Sequence, residues 1–381
     1  MYSYGQYQSF KVTLMLWMGY GSIKKGKMSQ KIFFNKKNVP LQKFLKSINM
    51  KCYNSSKVLI LIVLTVFFVS CGNRKAKEGS KVDEISIRLP IPVVNGDFVP
   101  YYLAQDKGIF EKYGLNVKLE PGSPELNPVK MIGQGVDQFG IVGGPELLMT
   151  ARSNNVAIKA IGLVHVNANF VTILTKKGSP YTKLTDLQGQ KVGFNYGHIS
   201  TDVLRSLFVQ ENIKVEEVDV GFNYNLFLAD KLPAQWAFTT TAGLTLRERD
   251  FEFNDISTSD YGINTHGHTI ITNEKLINEK PDLVKRFVSA VIEATKYSLE
   301  HVDESIEAMQ KRDKDFSASL AQKQLAIINP TILNNSKVLW IDASLLADTK
   351  NRLIRLGLIS ENFDLNAAFD NSFLKEYYKV K

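Results

Sequence analysis

The residues of this chain best suited to metal or acid–base chemistry are its five histidines, His165, His198, His266, His268 and His301. Two of them stand as His266-Gly267-His268. On a strand, alternate positions face the same way, so this pair would present two imidazoles together and could hold zinc. Zinc requires at least one further ligand, and nothing nearby in the sequence clearly supplies it, so no metal is expected. Patterns for covalent or phosphoryl chemistry are missing: there is no G-x-x-x-x-G-K-[ST] loop, no G-x-S-x-G turn and no H-E-x-x-H helix. Gly133-Gln134-Gly135 lacks the third glycine of a dinucleotide loop. Binding chemistry is better represented, in three segments that join a strand to a helix: Asn95-Gly96-Asp97-Phe98, Gly143-Gly144-Pro145-Glu146 and Asn195-Tyr196-Gly197-His198-Ile199-Ser200-Thr201. Glycine allows close backbone approach, helix N-termini present free N–H groups, and Ser200 or Thr201 can cap a helix or donate to a ligand.

These segments sit in a chain whose short alternating apolar runs take turns with longer amphipathic ones. Ile85, Ile87 and Leu89 alternate as a strand, as do Val117 and Leu119. Further strands are expected over 136–142, 158–164, 171–175, 191–195, 215–220 and 234–239. Helical turns are expected over 101–113 with a break at Gly108, and helices over 126–132, 145–153 and 201–210. This alternation predicts an α/β fold with a largely parallel sheet. The clearest helix is 281–300, where Val284, Phe287, Val288, Val291, Ile292, Thr295 and Leu299 share one face at a period near 3.6. The last 70 residues read as surface-covering helices anchored by Trp340, Leu345, Leu353 and Leu356.

The chain has 381 residues, 47 of them Lys or Arg and 38 Asp or Glu, for a formal charge of +9. Residues 1–70 contain eleven lysines, no arginine and no acidic residue, so the rest carries 47 − 11 = 36 basic against 38 acidic groups, or −2. A nucleic-acid binder needs its excess charge on the folded domain, so that partner class is excluded. Val58 to Val69 reads VLILIVLTVFFV behind Lys51 and Lys57, which is too short to span a bilayer and has the layout of an export signal. Ser70-Cys71 at its end resembles a bacterial lipobox with Phe68 in place of the usual Leu, so Cys71 is expected to be lipidated. Met50 is then the expected start, with 1–49 as upstream reading frame, 50–70 as signal and 71–83 as a polar tether. The other cysteine is Cys52, so no disulfide framework is expected. About 300 residues beyond the tether suggest two lobes.

Phe98-Val99-Pro100-Tyr101-Tyr102-Leu103-Ala104-Gln105-Asp106-Lys107-Gly108-Ile109-Phe110 with Tyr113-Gly114-Leu115-Asn116-Val117 resembles the opening of the bacterial substrate-binding proteins related to sulfonate binders and thiamine-pyrimidine-precursor binders. Gly135-Val136-Asp137-Gln138-Phe139-Gly140 before Gly143-Gly144, Leu184-Thr185-Asp186-Leu187-Gln188-Gly189-Gln190-Lys191-Val192-Gly193, and Asn278-Glu279-Lys280-Pro281-Asp282-Leu283 follow in that family's order. The resemblance runs from about Ile85 to about Glu307. It implies a type II periplasmic-binding fold of two α/β lobes joined by two crossovers, with lobe one at 84–172 and 265–381 and lobe two at 173–264. It also implies a monomer that closes on a small nutrient and delivers it to an ABC permease and its ATPase, without catalysis or cofactor.

Taken singly, the three glycine-containing segments read as ordinary capped turns; together, at matching family positions, they predict the ligand site. Trp236, Tyr196 and Phe98 are the expected stacking walls, and Glu146 and Asp97 the acceptors for an amino-substituted ring. Gly262 stands where the family's chain returns to lobe one and is the hinge candidate. An anionic ligand calls for Arg or Lys beside the helix N-termini. None lies within the three segments, Arg205 being the nearest, so the expectation is a neutral or cationic heteroaromatic such as an aminopyrimidine. Sulfonate, taurine or nitrate is the alternative. Fungal relatives build the thiamine pyrimidine using a cysteine-rich motif, iron and pyridoxal phosphate, and this chain has no cysteine left for that motif. A third alternative is a lipid-tethered adaptor that transports nothing.

Overall fold

A computed structural model describes residues 82–123 and 125–380. The expected signal, Cys71 and all but the last two residues of the tether lie outside the described residues.

The first four strands are β1 (Asp83–Arg88), β2 (Leu115–Glu120), β3 (Phe139–Val142) and β4 (Ile158–Leu163). They are followed by β5 (Val171–Lys176), β6 (Lys191–Phe194), β7 (Glu216–Asp219), β8 (Ala234–Phe238) and β9 (Phe253–Ser257), and then by β10 (Thr269–Asn273). Two five-stranded sheets result, in the orders β2-β1-β3-β10-β4 and β7-β6-β8-β5-β9. Each has four strands in one direction and one inner strand reversed. In the first, β10 runs antiparallel to both β3 and β4; in the second, β5 runs antiparallel to β8 and β9. β10 returns from beyond the second sheet to become an inner strand of the first, so the second lobe is inserted into the first. Residues 164–170 and 258–268 form the two crossovers.

The helices that matter for the cleft are α1 (Val99–Asp106), α2 (Pro145–Ser153), α3 (Ile199–Gln210), α4 (Pro281–Glu300), α5 (Ala318–Ile328) and α6 (Ala343–Arg355). α4 has the bounds its periodicity indicates and buries Val284, Phe287, Val288, Val291, Ile292 and Thr295. Phe287 stacks on Phe139 of β3 at 3.7 Å between ring centroids, which fixes the helix to the first sheet. Burying one such ring contributes about 1.5–3 kcal/mol. Among the C-terminal anchors, Leu353 is fully buried, Trp340 and Leu345 are half-buried against the core, and Leu356 is partly buried at the end of α6.

Two expectations need correction. The strand expected over 136–142 starts only at Phe139. Val136 is exposed, and Asp137 and Gln138 turn to bond β1: Arg88 Nε donates to Asp137 at 2.7 Å and the Ser86 N–H to Gln138 Oε1 at 2.9 Å. The His266-Gly267-His268 segment is not on a strand, since β10 begins one residue later. Its two rings therefore part company, His266 Nε2 lying 3.0 Å from the Leu345 carbonyl while His268 faces Asp97.

Candidate ligand-binding cleft

On the lobe-one wall, β1 runs out into Asn95, whose side chain accepts the Asp97 N–H at 3.1 Å and caps a short turn over Gly96–Phe98. This turn puts Asp97 and Phe98 inside, at 7 % and 0 % exposure. Phe98 stacks on His268 at 5.5 Å and 20°. His165 stands beside them, Nε2 3.4 Å from Asp97 Oδ1, with Phe170 edge-on to its ring. Neither imidazole makes a hydrogen bond to the carboxylate, and Asp97 Oδ1, both His165 nitrogens and His268 Nδ1 are buried without a hydrogen-bond partner among the described residues. Burial is the largest influence on all three groups. It raises the Asp97 carboxyl above its usual range, His165 opposing, and pushes His165 and His268 down to about 4. Both rings are therefore neutral near pH 7.

On the lobe-two wall, β6 ends in Asn195, and His198 caps α3 by accepting the Ser200 N–H on Nδ1. Ser200 and Thr201 are buried, and the Thr201 hydroxyl donates to the Asn195 carbonyl at 2.5 Å. His198 lies in an aromatic nest of Phe222, Trp236 and Phe238, each about 5.4–5.5 Å away. Burial, with His268 adding to it across the cleft, pushes His198 down to about 4. Trp236 is 1 % exposed and its Nε1–H is satisfied by the Gly221 carbonyl at 2.9 Å.

The lobes touch in two places beside these walls. The N-terminal turn of α3 sits on Gly143 and Gly144: a Cβ at Gly144 would collide with Ile199 Cδ1 and come within 2.7 Å of Glu146 Oε2. Only glycine lets the two strand-to-helix turns approach this closely. Behind them, the buried Glu146 pairs with the equally buried Arg352 of α6 at 3.1 Å, and burial raises the Glu146 carboxyl while Arg352 opposes. On the opposite side, Gln324 of α5 accepts the Gly96 N–H at 2.8 Å and donates from Nε2 to the Thr240 carbonyl of lobe two, also at 2.8 Å.

Of the three turns expected to form the site, those at Gly143 and Asn195 pack on each other through Ile199, and the Asn95 turn packs through Phe98 on His268. The three stacking rings do not meet one another: Phe98 goes to His268, Trp236 to His198, and Tyr196, 48 % exposed, to Arg205 at 5.4 Å. Arg205 is also held by Glu217 through two hydrogen bonds of 2.9 and 2.7 Å. Gly262, at φ +75°, caps the turn Thr258–Tyr261, which Gln210 and the Leu184 N–H tie into lobe two through the Tyr261 carbonyl and hydroxyl. It thus stands at the lobe-two end of its crossover. His165, His268, Gln324 and Arg352 were not singled out for the site. His165 stands at the exit of β4, which the alternation marks, but pairing it with Asp97 and His268 requires knowing that the crossovers run side by side. That pairing is set by Val164 N–H to the His268 carbonyl at 2.8 Å and Gly267 N–H to the His165 carbonyl at 3.1 Å.

Two sheets with one reversed inner strand each, two crossovers, and facing strand-to-helix turns define the periplasmic-binding-protein class of fold. The NMT1/THI5-like family model matches residues 95–305, and the chain belongs to that family. Among its relatives, the riboflavin-binding protein RibY of Chloroflexus aurantiacus is 23% identical over 298 residues, 74% of this chain and 84% of that protein. The 4-amino-5-hydroxymethyl-2-methylpyrimidine phosphate synthase of Candida albicans is 25% identical over 223 residues, 54% of this chain and 65% of the enzyme. The solved structure of a putative sulfonate ABC transporter component, the periplasmic sulfonate-binding protein SsuA of Methylobacillus flagellatus, superposes with a TM-score of 0.62 at 13% identity, covering 79% of this chain and 96% of that one.

Proposed function

We propose that this chain is the substrate-binding component of an ABC importer and captures a small neutral or cationic heteroaromatic, of the aminopyrimidine or flavin kind, between its lobes. The observation that carries the reading is the character of the two facing walls. Asp97, Phe98 and His268 oppose His198 and its aromatic nest, with glycines where the helix N-termini come close. Flat rings and a carboxyl suit a planar, amino-bearing ring. Arg352, buried behind the Gly143–Gly144 turn, is already paired with Glu146, and Arg205 with Glu217, which disfavours a sulfonate or nitrate. Relatives that bind riboflavin or make a thiamine pyrimidine support a heteroaromatic, and the sulfonate binder supports import.

Ligand landing on lobe one draws lobe two across, because only contacts made to both lobes shift the equilibrium towards the closed form. Gly262 and the paired crossovers bend; Cys71 carries the lipid that tethers the protein to the bacterial cell envelope, where it serves its permease and ATPase. The protein acts as a monomer and without catalysis. A pyrimidine-synthase reading lacks support, because Cys52 and Cys71 are the only cysteines and both precede the matched residues. The test is a calorimetric panel of aminopyrimidines, flavins, alkanesulfonates and nitrate. Micromolar affinity, about −8 kcal/mol, is expected for a heteroaromatic; tighter binding of the anions overturns the assignment.

A further inference from the structure

We propose that Asp97, His165 and His268 form a binding site for a divalent transition-metal ion of the zinc type. One carboxylate oxygen of Asp97 and one ring nitrogen from each histidine lie within 4.8 Å of one another. The two imidazoles address different oxygens of the same carboxylate, His165 Nε2 at 3.4 Å from Oδ1 and His268 Nδ1 at 3.8 Å from Oδ2. Neighbouring ligands on a tetrahedron with metal bonds of about 2.0–2.2 Å stand about 3.3–3.6 Å apart, so the two histidine–carboxylate distances are already close to that spacing, and the full donor set, within 4.8 Å, needs a further inward adjustment.

The donor atoms are also unspent. Asp97 Oδ1, His165 Nε2 and His268 Nδ1 are all buried without a hydrogen-bond partner among the described residues. Buried polar atoms left unpaired cost free energy, and three of them converging on one point indicate a group that satisfies all three. The rings are held in place by apolar packing that leaves their nitrogens free: Phe98 stacks on His268, Phe170 closes on His165, and Gly267 lies against the His165 ring so tightly that a Cβ there would come within 2.7 Å of Nδ1. His268 keeps 15 % side-chain exposure, which gives the ion an entry from the cleft. Three protein ligands leave a fourth position open for a donor from the cleft. A void of about 10 Å³ borders Asp97 and His165 and has room for about one water, the competing occupant.

The experiment titrates Co2+ into the untagged, chelator-treated full chain and follows its visible absorption. The expected result is the intense ligand-field band of tetrahedral cobalt, saturating at one equivalent and displaced by Zn2+. Asp97→Asn and His268→Gln should each weaken Co2+ binding at least tenfold, while His266→Gln, whose ring is engaged by Leu345, leaves it unchanged. X-ray absorption of the Zn2+-loaded wild type requires no variant and should show two imidazoles with oxygen donors. Only the weak spectrum of octahedral cobalt, a shell without imidazole, or an undiminished band in folded Asp97→Asn and His268→Gln proteins overturns the site. No organic ligand enters these measurements, so their outcome is separate from that of the cleft-ligand panel.

Discussion

Gln324→Glu isolates the contribution of one cross-lobe hydrogen bond to closure. The replacement has the same shape, and its carboxylate still accepts the Gly96 N–H, so lobe one keeps its internal bond. What changes is Nε2, which becomes an oxygen facing the Thr240 carbonyl 2.8 Å away. Closing the lobes then forfeits a hydrogen bond with a net value of about 1 kcal/mol and buries an acceptor without a donor, which costs about 1–3 kcal/mol more. A total of about 2–4 kcal/mol against the closed form corresponds to about 30- to 700-fold in the open–closed equilibrium. Small-angle scattering measures the fraction of compact molecules, and calorimetry with whichever ligand binds measures the apparent affinity, which falls with the binding-competent population. An open-shifted scattering profile and an affinity loss of at least tenfold are expected, with the melting of lobe two unchanged. If Gln324→Glu is as compact and binds as tightly as the wild type, Gln324 is not a latch and the reasoning fails.

Two further outcomes follow from buried charge. His198 is pushed down to about 4 from an ordinary 6.5, so its neutral form supports the fold. That contribution is complete above about pH 6.5 and disappears as the pH falls towards 4. The stability difference between wild type and His198→Gln, from urea unfolding, should therefore shrink through that window; a constant difference contradicts the burial of His198. Asp137→Ala, which strands the buried Arg88, should cost about 3–5 kcal/mol, whereas the double change Arg88→Met with Asp137→Leu should cost far less. Equal losses in the two proteins would mean that the pair does not act as a unit.

Sequence periodicity reached those elements whose buried face repeats within a single stretch. α4 is the clearest case, because Val284, Phe287, Val288 and Val291 must share one side of any helix that holds them. β10 lies just beyond the strand expected at His266–His268: TIITN is five residues long, follows a polar THGH segment, and gains its meaning from β3 and β4, far away in the chain. The site behaved the same way. The turns at Asn95, Gly143 and Asn195 were legible because strand, glycine and helix adjoin in sequence. Asp97, His165 and His268 were not read as a group, since each looks like an isolated polar residue until the two crossovers pair. The partners of the aromatic rings are hidden for a related reason. Ring type signals burial, but the direction in which Tyr196 and Trp236 turn is decided by Arg205 and by the Gly221 carbonyl.

The placement of β10 also orders the birth of the molecule. The sheet of lobe two is complete once Ser257 has left the ribosome, and all its pairings are internal to residues 171–257. Lobe one, although its first four strands are made earlier, has a gap between β3 and β4 that only Thr269–Asn273 fills. The lobe begun first is therefore finished last, and the pairing that completes its sheet is a non-local contact of the kind that slows folding. Until then the edges of β3 and β4 stay unpaired, so a chain arrested before residue 269 pairs with its neighbours or needs a chaperone to prevent it.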